Sequence, residues 1–389
     1  MPDQLEGSRA VAMTVARCRP QVVCAYPISP QTHIVEGLAR LVAEGELGSC
    51  CFLNVESEFA AMSVAIGAAA AGSRSYTATA SQGLLYMAEA LFNAAGLGLP
   101  VVMTVANRAV GAPINIWNDH SDSMSQRDAG WVQLYADSNQ SAVDLHVQAF
   151  RLAEELSLPV MVCVDGFVLT HAVEGLDVPT QEQVDAFLPP FHVRQVLDPD
   201  APITIGAMVG PEAFTEVRYL AHLAHRRALE LVPAVAADFR AAFGRASGGL
   251  VSPYRCEDAE VVVVALGSVV GTLQDVVDER RACGERIGVV GVTTFRPFPT
   301  AALAEAIGTA GRVVVVERAF EVGVGGIVAR DVRSAVPDAA VGTVVAGLGG
   351  RPVTRASLHA LLDRPALPEL TFLDLREDVV AAHLSEIGG

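Results

Sequence analysis

The sequence predicts an α/β protein of two domains, each with a parallel sheet that helices cover on both faces. Short β-branched runs alternate with Ala-rich helical segments along the chain, and the runs are apolar throughout. Such alternation is typical of strand–helix–strand units with a buried sheet. A length of 389 residues, 51% of them hydrophobic and 18% charged, also favours two hydrophobic cores over one.

The first predicted domain spans residues 1–240 and ends in a connector. Its predicted buried strands are Val22–Ala25, Cys51–Val55, Ser75–Thr79, Val101–Val105 and Val160–Val164. Its predicted helices are Glu58–Ala71, Leu84–Ala95 and Ala142–Leu156. From about Thr170 prolines break the pattern, so we expect irregular structure until a long helix within Pro211–Phe243 leads into a second unit.

The second, smaller domain is predicted over residues 255–365. Its apolar strands are predicted at Glu260–Leu266, Ile287–Val292 and Arg312–Glu317, and a helix follows the first of them through Arg281. Residues 366–389 are predicted to form a C-terminal tail with one short helix.

Charge and cysteine content exclude several classes of protein. A formal net charge of −17 without long basic patches argues against binding to nucleic acid or to an acidic membrane surface. Seven cysteines without a Cys-x-x-Cys pair indicate no metal or iron–sulfur ligation by this chain, and their odd number favours a reducing cytoplasm. No long apolar stretch or signal core is present, so we expect no membrane span. The low charged fraction leaves open a large subunit interface or an interior rich in small residues.

Four loops of the first domain that directly follow a strand contain residues that could bind a ligand. In parallel sheets, functional residues lie in the loops at the carboxyl ends of the strands. The first loop comprises Tyr26, Pro27, Ile28, Ser29 and Pro30. Prolines on both sides stiffen the backbone around Ser29. Its hydroxyl could cap the next helix, which we expect to begin near Gln31, or it could face a ligand.

The second and third loops contain a carboxylate and small polar groups. Glu58 precedes thirteen residues without charge, so it is either a helix-dipole partner or a partly buried carboxylate that needs a partner. Ser81 and Gln82 follow the third strand, where they suit either the close approach of a ligand or an ordinary turn.

The fourth loop is the longest. Arg108 ends a neutral strand and therefore needs an anion, which is a structural carboxylate or a substrate. Asp119, His120 and Asp122 could suggest a metal site, but no further ligand stands at a suitable spacing. A hydrogen-bonded loop that lines a pocket is the favoured interpretation.

The order and spacing of these motifs resemble the α subunit of the pyruvate:ferredoxin oxidoreductase family. The resemblance runs from about Gly7 to Val353. The segments that carry it are Tyr26–Pro30, Glu56–Glu58, Thr79–Gly83, Ala106–Arg108, Ala112–Asp122, Arg127–Trp131, Phe295–Pro299 and Gly347–Arg351.

The resemblance implies a thiamine-diphosphate pyrimidine-binding domain followed by a transketolase C-terminal-like domain. It implies that Glu58 hydrogen-bonds N1′ of the aminopyrimidine and that Ser29 and Arg108 bind the oxoacid. Further residues are expected in the site, with Ser81 and Gln82 at the cofactor and the pocket lined by Tyr26, Pro27, Ile28, Asn118, Asp119 and His120. The implied reaction converts a 2-oxoacid and coenzyme A into acyl-CoA, carbon dioxide and reduced ferredoxin.

Missing motifs imply partner subunits. The Gly-Asp-Gly and Asn-Asn motifs that hold the diphosphate through magnesium are absent; the nearest fragment is Asp165-Gly166. Magnesium is therefore expected on a β subunit with the diphosphate-binding domain, and the 4Fe–4S clusters on partner subunits, which include γ- and δ-type chains. The active site should lie at a subunit interface, with ferredoxin as the electron acceptor.

Three alternatives remain at this stage. Pyruvate is the preferred substrate because Gln31–His33 and the loop around Trp117 resemble pyruvate-specific members of the family. Ser29 stands where most members of the resembled family carry threonine, so a branched-chain oxoacid or 2-oxoglutarate stays open. A non-catalytic scaffold subunit is disfavoured because Ser29, Glu58 and Arg108 are all present. A Rossmann-type nucleotide-binding enzyme is disfavoured because the glycines of Gly323–Gly326 and Gly347–Gly350 lack the fingerprint spacing.

Overall fold

The computed structural model describes residues 3–192 and 194–387. In chain order its strands are β1 Asp3–Glu6, β2 Val22–Ala25, β3 Cys51–Asn54, β4 Ser75–Thr79, β5 Val101–Asn107, β6 Val132–Tyr135, β7 Val160–Asp165, β8 Val173–Leu176, β9 Val251–Tyr254, β10 Val261–Ala265, β11 Ile287–Val292, β12 Thr294–Arg296, β13 Arg312–Glu317, β14 Ala340–Val345 and β15 Leu370–Phe372. Its helices are α1 Gly7–Arg17, α2 Thr32–Ala43, α3 Glu58–Ala70, α4 Ser81–Tyr86, α5 Ala88–Gly96, α6 Ser121–Ser125, α7 Asn139–Leu156, α8 Gln181–Phe187, α9 Phe214–Phe243, α10 Val269–Ala282, α11 Thr300–Ile307, α12 Val328–Ala335, α13 Arg355–Leu362 and α14 Glu377–Ile387.

The first domain is built on a seven-stranded sheet in the order β12-β6-β7-β5-β4-β2-β3. Its neighbours from β6 to β3 pair in parallel, as the sequence predicts, whereas β12 pairs antiparallel to β6. Because β12 comes from the second half of the chain, a strand of that half completes the first sheet.

Helices cover both faces of this sheet, and each face forms a hydrophobic core. Helices α1, α2, α7 and α9 pack on one face. Helices α3, α4 and α5 pack on the other face, and this core continues into apolar residues of the second domain. The segment predicted as one helix, Leu84–Ala95, is divided at Met87 into α4 and α5.

Strand β3 differs from its prediction. Its run Cys51–Asn54 is apolar enough to predict a buried strand, but three of its four residues are exposed. The reason is its place at the open edge of the sheet, where β2 is its neighbour on one side only. The region before the long helix is also more ordered than expected, since it contains β8 and α8.

The second domain is built on a six-stranded sheet in the order β15-β14-β13-β10-β11-β9. Its strands pair in parallel except β9, which runs antiparallel to β11. The sheet extends beyond the predicted range 255–365 at both ends, because β9 precedes it and β15 lies in the predicted tail. Within the described ranges no helix combines the length and apolar character needed to cross a membrane.

Candidate functional site

The sequence-predicted residues of the first domain gather at one edge of its sheet. Strands β5, β4, β2 and β3 are consecutive neighbours and run parallel. Their carboxyl ends therefore lie together, and the loops that follow them carry Arg108, Ser81, Ser29 and Glu58. This arrangement follows directly from the strand order, which sequence spacing alone does not give.

Glu58 is the first residue of α3, and its side chain is almost fully buried at 7% exposure. The helix begins there because the Ser57 hydroxyl accepts a hydrogen bond from the backbone N–H of Ala60 at 3.2 Å. Within residues 3–192 and 194–387 no group hydrogen-bonds or ion-pairs with the Glu58 carboxylate. A buried carboxylate without a partner is costly, so Glu58 needs a ligand more than it needs the helix dipole.

The backbone of Gly83 lies close to the Glu58 carboxylate. A Cβ atom at Gly83 would lie 2.6 Å from Oε1 of Glu58 and 2.6 Å from Oγ1 of Thr79. The Thr79 hydroxyl is itself buried without a hydrogen-bond partner in the described chain. The Glu58 carboxylate and the Thr79 hydroxyl thus both lie too close to position 83 for any residue except glycine. Thr79 and Gly83 are not among the predicted site residues, although both stand in the motif Thr79–Gly83.

Ser81 is fixed within the protein. Its backbone N–H donates to Oδ2 of Asp122 at 2.9 Å, and its hydroxyl lies against the carbonyl of Ala109 and the side chain of Gln82. Gln82 is half-buried, and its Nε2 lies close to Gly111. Since the hydroxyl and the backbone N–H of Ser81 both have partners within the protein, Ser81 holds the loop in place.

Asp122 organises the ends of two neighbouring strands. Besides Ser81, it accepts hydrogen bonds from the backbone N–H groups of Arg108 and Ser123 and from the side chain of Asn107. Burial raises the pKa of Asp122 to about 6, and these N–H donors oppose the rise. Its role emerges only from the structure, because its donors are spread over residues 81–123.

The side chain of Arg108 contacts the backbone of Ser29. The guanidinium of Arg108 donates from Nη1 to the carbonyl of Ser29 at 2.9 Å and from Nε to the carbonyl of Asn115 at 3.3 Å. Burial lowers the pKa of Arg108, and Asp122 opposes this effect. Nη2 makes no hydrogen bond within the described chain, so the guanidinium retains a free donor for an anion.

Ser29 does not cap the following helix. The N-cap of α2 is Gln31, and no side chain caps that helix. Ser29 is exposed, together with Tyr26 and Pro27, while Ile28 is half-buried. The capping interpretation is therefore wrong, and the Ser29 hydroxyl is left accessible to a ligand.

Asn118, Asp119 and His120 are buried, and each hydrogen-bonds to a different partner. Asn118 accepts a hydrogen bond from Nη1 of Arg318 at 2.9 Å, and Asp119 accepts one from the backbone N–H of Gly349 at 3.1 Å. Nε2 of His120 lies 2.6 Å from Oδ1 of Asp165. Because each side chain has a different partner, the three do not converge on a metal ion.

Asp165 is the centre of this interdomain contact. It is buried, and it accepts hydrogen bonds from the backbone and hydroxyl of Ser268 besides its ion pairs with His120 and Arg318. Burial favours the neutral acid, but the charges of His120 and Arg318 outweigh it and hold the pKa of Asp165 well below its usual range. The fragment Asp165-Gly166 therefore ties the domains together.

Comparison with known proteins places this geometry in a family. The model described as "Pyruvate flavodoxin/ferredoxin oxidoreductase, thiamine diP-bdg" matches residues 13–236, and "Pyruvate:ferredoxin oxidoreductase core domain II" matches residues 259–358. The pyruvate synthase subunit PorA of Methanosarcina barkeri is 46% identical, with 97% of each chain covered. The ketoisovalerate oxidoreductase subunit VorA of Pyrococcus horikoshii is 38% identical, with 92% of each chain covered.

A solved structure supports the fold. The 2-oxoglutarate:ferredoxin oxidoreductase of Magnetococcus marinus superposes with a TM-score of 0.70 at 18% identity. The match covers 93% of this chain and 65% of that chain. Fold, family models and sequence relatives agree: this chain belongs to the pyruvate flavodoxin/ferredoxin oxidoreductase family.

Proposed function

We propose that this chain is the subunit of a pyruvate:ferredoxin oxidoreductase that binds the aminopyrimidine of thiamine diphosphate and the oxoacid. The enzyme converts pyruvate and coenzyme A into acetyl-CoA, carbon dioxide and reduced ferredoxin. The observation that carries the proposal is the unpartnered Glu58 carboxylate beside Gly83, at the same sheet edge as Arg108. The names of the full-length relatives support the choice of pyruvate.

The residues at this edge fit an aminopyrimidine. Glu58 offers a free carboxylate that can hold a proton at N1′, and Gly83 removes the side chain that would otherwise fill the adjacent space. Thr79 supplies a buried hydroxyl with spare hydrogen-bonding capacity. Ser81 and Gln82 border the same space and hold the loop in place. Thiamine diphosphate, when bound, supplies the nucleophilic carbon and accepts the electrons released on decarboxylation.

Arg108 and Ser29 form the proposed oxoacid site. Two of the Arg108 nitrogens are fixed by backbone carbonyls, so the third has a defined direction for the substrate carboxylate. The exposed Ser29 hydroxyl can orient the oxo group. The adjacent wall of the proposed oxoacid pocket is formed by the three residues before Ser29, which are Tyr26, Pro27 and Ile28.

An apolar rim around this site indicates a partner subunit. Tyr26, Phe59 and Tyr86 are exposed, and the rings of Phe59 and Tyr86 lie 6.5 Å apart next to Glu58 and Gly83. Surfaces of this kind favour protein contact. We propose that a β subunit covers the rim and supplies the diphosphate site with magnesium. The 4Fe–4S clusters then belong to partner subunits, among them γ- and δ-type chains, in a cytoplasmic complex.

A branched-chain oxoacid is the second candidate substrate. The relative named ketoisovalerate oxidoreductase subunit is 38% identical over 92% of this chain. Serine at position 29 also leaves more room for the oxoacid than threonine would, because it lacks the methyl group.

The test is the variant Glu58→Gln in the complex co-purified with its partner subunits. We expect coenzyme-A-dependent dye reduction with pyruvate to fall by about 10²- to 10⁴-fold while assembly is unchanged. Glu56→Gln is the matched control, since Glu56 is exposed in the same strand-to-helix turn. Turnover by Glu58→Gln close to that of the wild type would favour the scaffold interpretation, and higher activity with 2-oxoisovalerate or 2-oxoglutarate would reassign the substrate.

A further inference from the structure

Three potential metal ligands from distant parts of the chain meet on the first domain. They are Glu6 at the end of β1, His33 in the first turn of α2, and His171 between β7 and β8. One ligand atom from each lies within 4.8 Å of the others. Nδ1 of His33 is 2.6 Å from Oε1 of Glu6, and the two imidazole rings are 4.7 Å apart. The sequence predicts no metal ligand in this chain, because these three residues are far apart in sequence and form no local ligand motif.

The ring of His171 is held in an orientation that suits coordination. Its Nδ1 lies 2.8 Å from Oγ1 of Thr170, and Thr170 is buried and bonded through its carbonyl to Ser8. In the tautomer whose Nδ1–H donates to this hydroxyl, Nε2 carries the lone pair that a metal ion needs. An outer hydrogen bond that fixes the imidazole is what metal-binding histidines require.

The site is open to a metal ion from solution. His33 is exposed, and Glu6 and His171 are half-buried. Elsewhere in the described ranges, histidine and glutamate also pair at His359 and Glu279, at 2.7 Å, but no second histidine completes that pair.

We propose that Glu6, His33 and His171 bind one divalent transition-metal ion of the zinc class, with a fourth position open to water. Two imidazoles and a carboxylate are a donor set that zinc accepts. Tetrahedral ligand atoms at zinc bond lengths are about 3.3 Å apart, which lies between the closest and the widest separations in this cluster.

A metal ion here would add a third segment to two that already share hydrogen bonds, since the backbone N–H groups of Gly7 and Ser8 donate to the carbonyls of Ala172 and Thr170. It would join the β1–α1 junction, the beginning of α2 and the β7–β8 connection. His171 also stacks on Phe167, whose ring is 4.8 Å from Trp117. The metal ion would therefore support the beginning of α2 at His33, four residues after Ser29.

The test is titration of the tag-free full-length chain with Co²⁺ as a spectroscopic probe and with Zn²⁺ as competitor. We expect one equivalent of Co²⁺ to give visible bands of low coordination number without a thiolate charge-transfer band, and Zn²⁺ to displace it. His171→Gln and His33→Gln should each weaken Co²⁺ binding at least tenfold. His359→Gln should bind as the wild type does.

Thermal melts with and without metal make the test independent of enzyme activity. Zn²⁺ should raise the melting temperature of the wild type and of His359→Gln, but not that of His171→Gln. Melts without metal and circular dichroism show whether each variant is folded. If His171→Gln is not folded, His33→Gln serves in its place, because His33 is exposed. Co²⁺ binding that survives in both variants, thiolate bands, or no binding at micromolar Co²⁺ would overturn the proposal.

Discussion

The contact between Gly83 and Glu58 allows the proposed cofactor site to be tested without changing a charged residue. Alanine at position 83 would place Cβ 2.6 Å from Oε1 of Glu58, whereas ordinary contact begins at 3.4 Å. The same Cβ would lie 2.6 Å from the Thr79 hydroxyl. The glutamate must therefore turn away by about 0.8 Å or more, into the space proposed for the aminopyrimidine.

The energetic consequences of Gly83→Ala can be separated. Overpacking costs about 1–3 kcal/mol, and replacing a helical glycine by alanine returns about 1 kcal/mol, so the free energy of unfolding should fall by about 0–2 kcal/mol. Loss of a hydrogen bond to a charged group costs about 1.5–3 kcal/mol, so thiamine diphosphate should bind roughly 10- to 150-fold more weakly. The cofactor effect should therefore exceed the stability effect.

Titration of the assembled complex with thiamine diphosphate and magnesium measures the loss. Gly67→Ala in helix α3 is the control, because no atom lies within 4 Å of its added Cβ and the change should stabilise the helix. If Gly83→Ala acts through Glu58, combining it with Glu58→Gln should weaken binding no further than Glu58→Gln alone. Wild-type affinity in Gly83→Ala, or fully additive losses, would refute the reasoning.

Three further predictions concern other groups. Arg108→Lys removes the guanidinium group that the Ser29 carbonyl positions, so the KM for pyruvate should rise roughly 10- to 150-fold. An unchanged KM would exclude a substrate role for Arg108. Burial lowers the pKa of His146 from 6.5 to about 4, so the unfolded chain binds a proton that the folded chain excludes. This difference should lower the free energy of unfolding by about 3 kcal/mol between pH 6.5 and pH 4. Urea denaturation midpoints measured across this range should depend less on pH in His146→Gln than in the wild type. Asp165→Asn leaves Arg318 unpaired between the domains and should cost about 3–5 kcal/mol in urea denaturation at pH 7, whereas an unchanged midpoint would contradict the interdomain role. Because the folded pKa of Asp165 is lowered, this contribution is present above the ordinary aspartate pKa and is lost as pH falls through the folded value.

Interior strands were predictable because burial on both faces demands an apolar run. Strands β2, β4, β11 and β13 have the predicted bounds. Strands β6 and β12 were missed because they are short and their pairing joins residues 134 and 294. The exposure of β3 was also beyond the sequence, since composition reports apolar character but not whether a neighbouring strand or subunit covers it.

The gathering of the site residues was predictable from a parallel sheet, but its closing contacts were not. Glu58 and Arg108 follow strands and therefore had to lie near one edge. Which strands are neighbours is a property of the folded sheet, and so is the approach of Gly83 to Glu58. The role of Asp165 was missed because its partner Arg318 lies 153 positions further along the chain.

The isolation of the Glu58 carboxylate also bears on where the enzyme is complete. Glu58 is 7% exposed as a residue and its carboxylate has no hydrogen-bond partner among the described residues, so in the lone chain that carboxylate has lost part of its hydration. Binding a ring nitrogen that carries the shared proton would offset that loss, and coverage of the apolar rim by a second subunit would strengthen the bond by excluding water. The same residue that destabilises the isolated chain would thus stabilise the assembled, cofactor-bound one. Cofactor binding and subunit assembly should therefore be mutually reinforcing, each raising the affinity of the other.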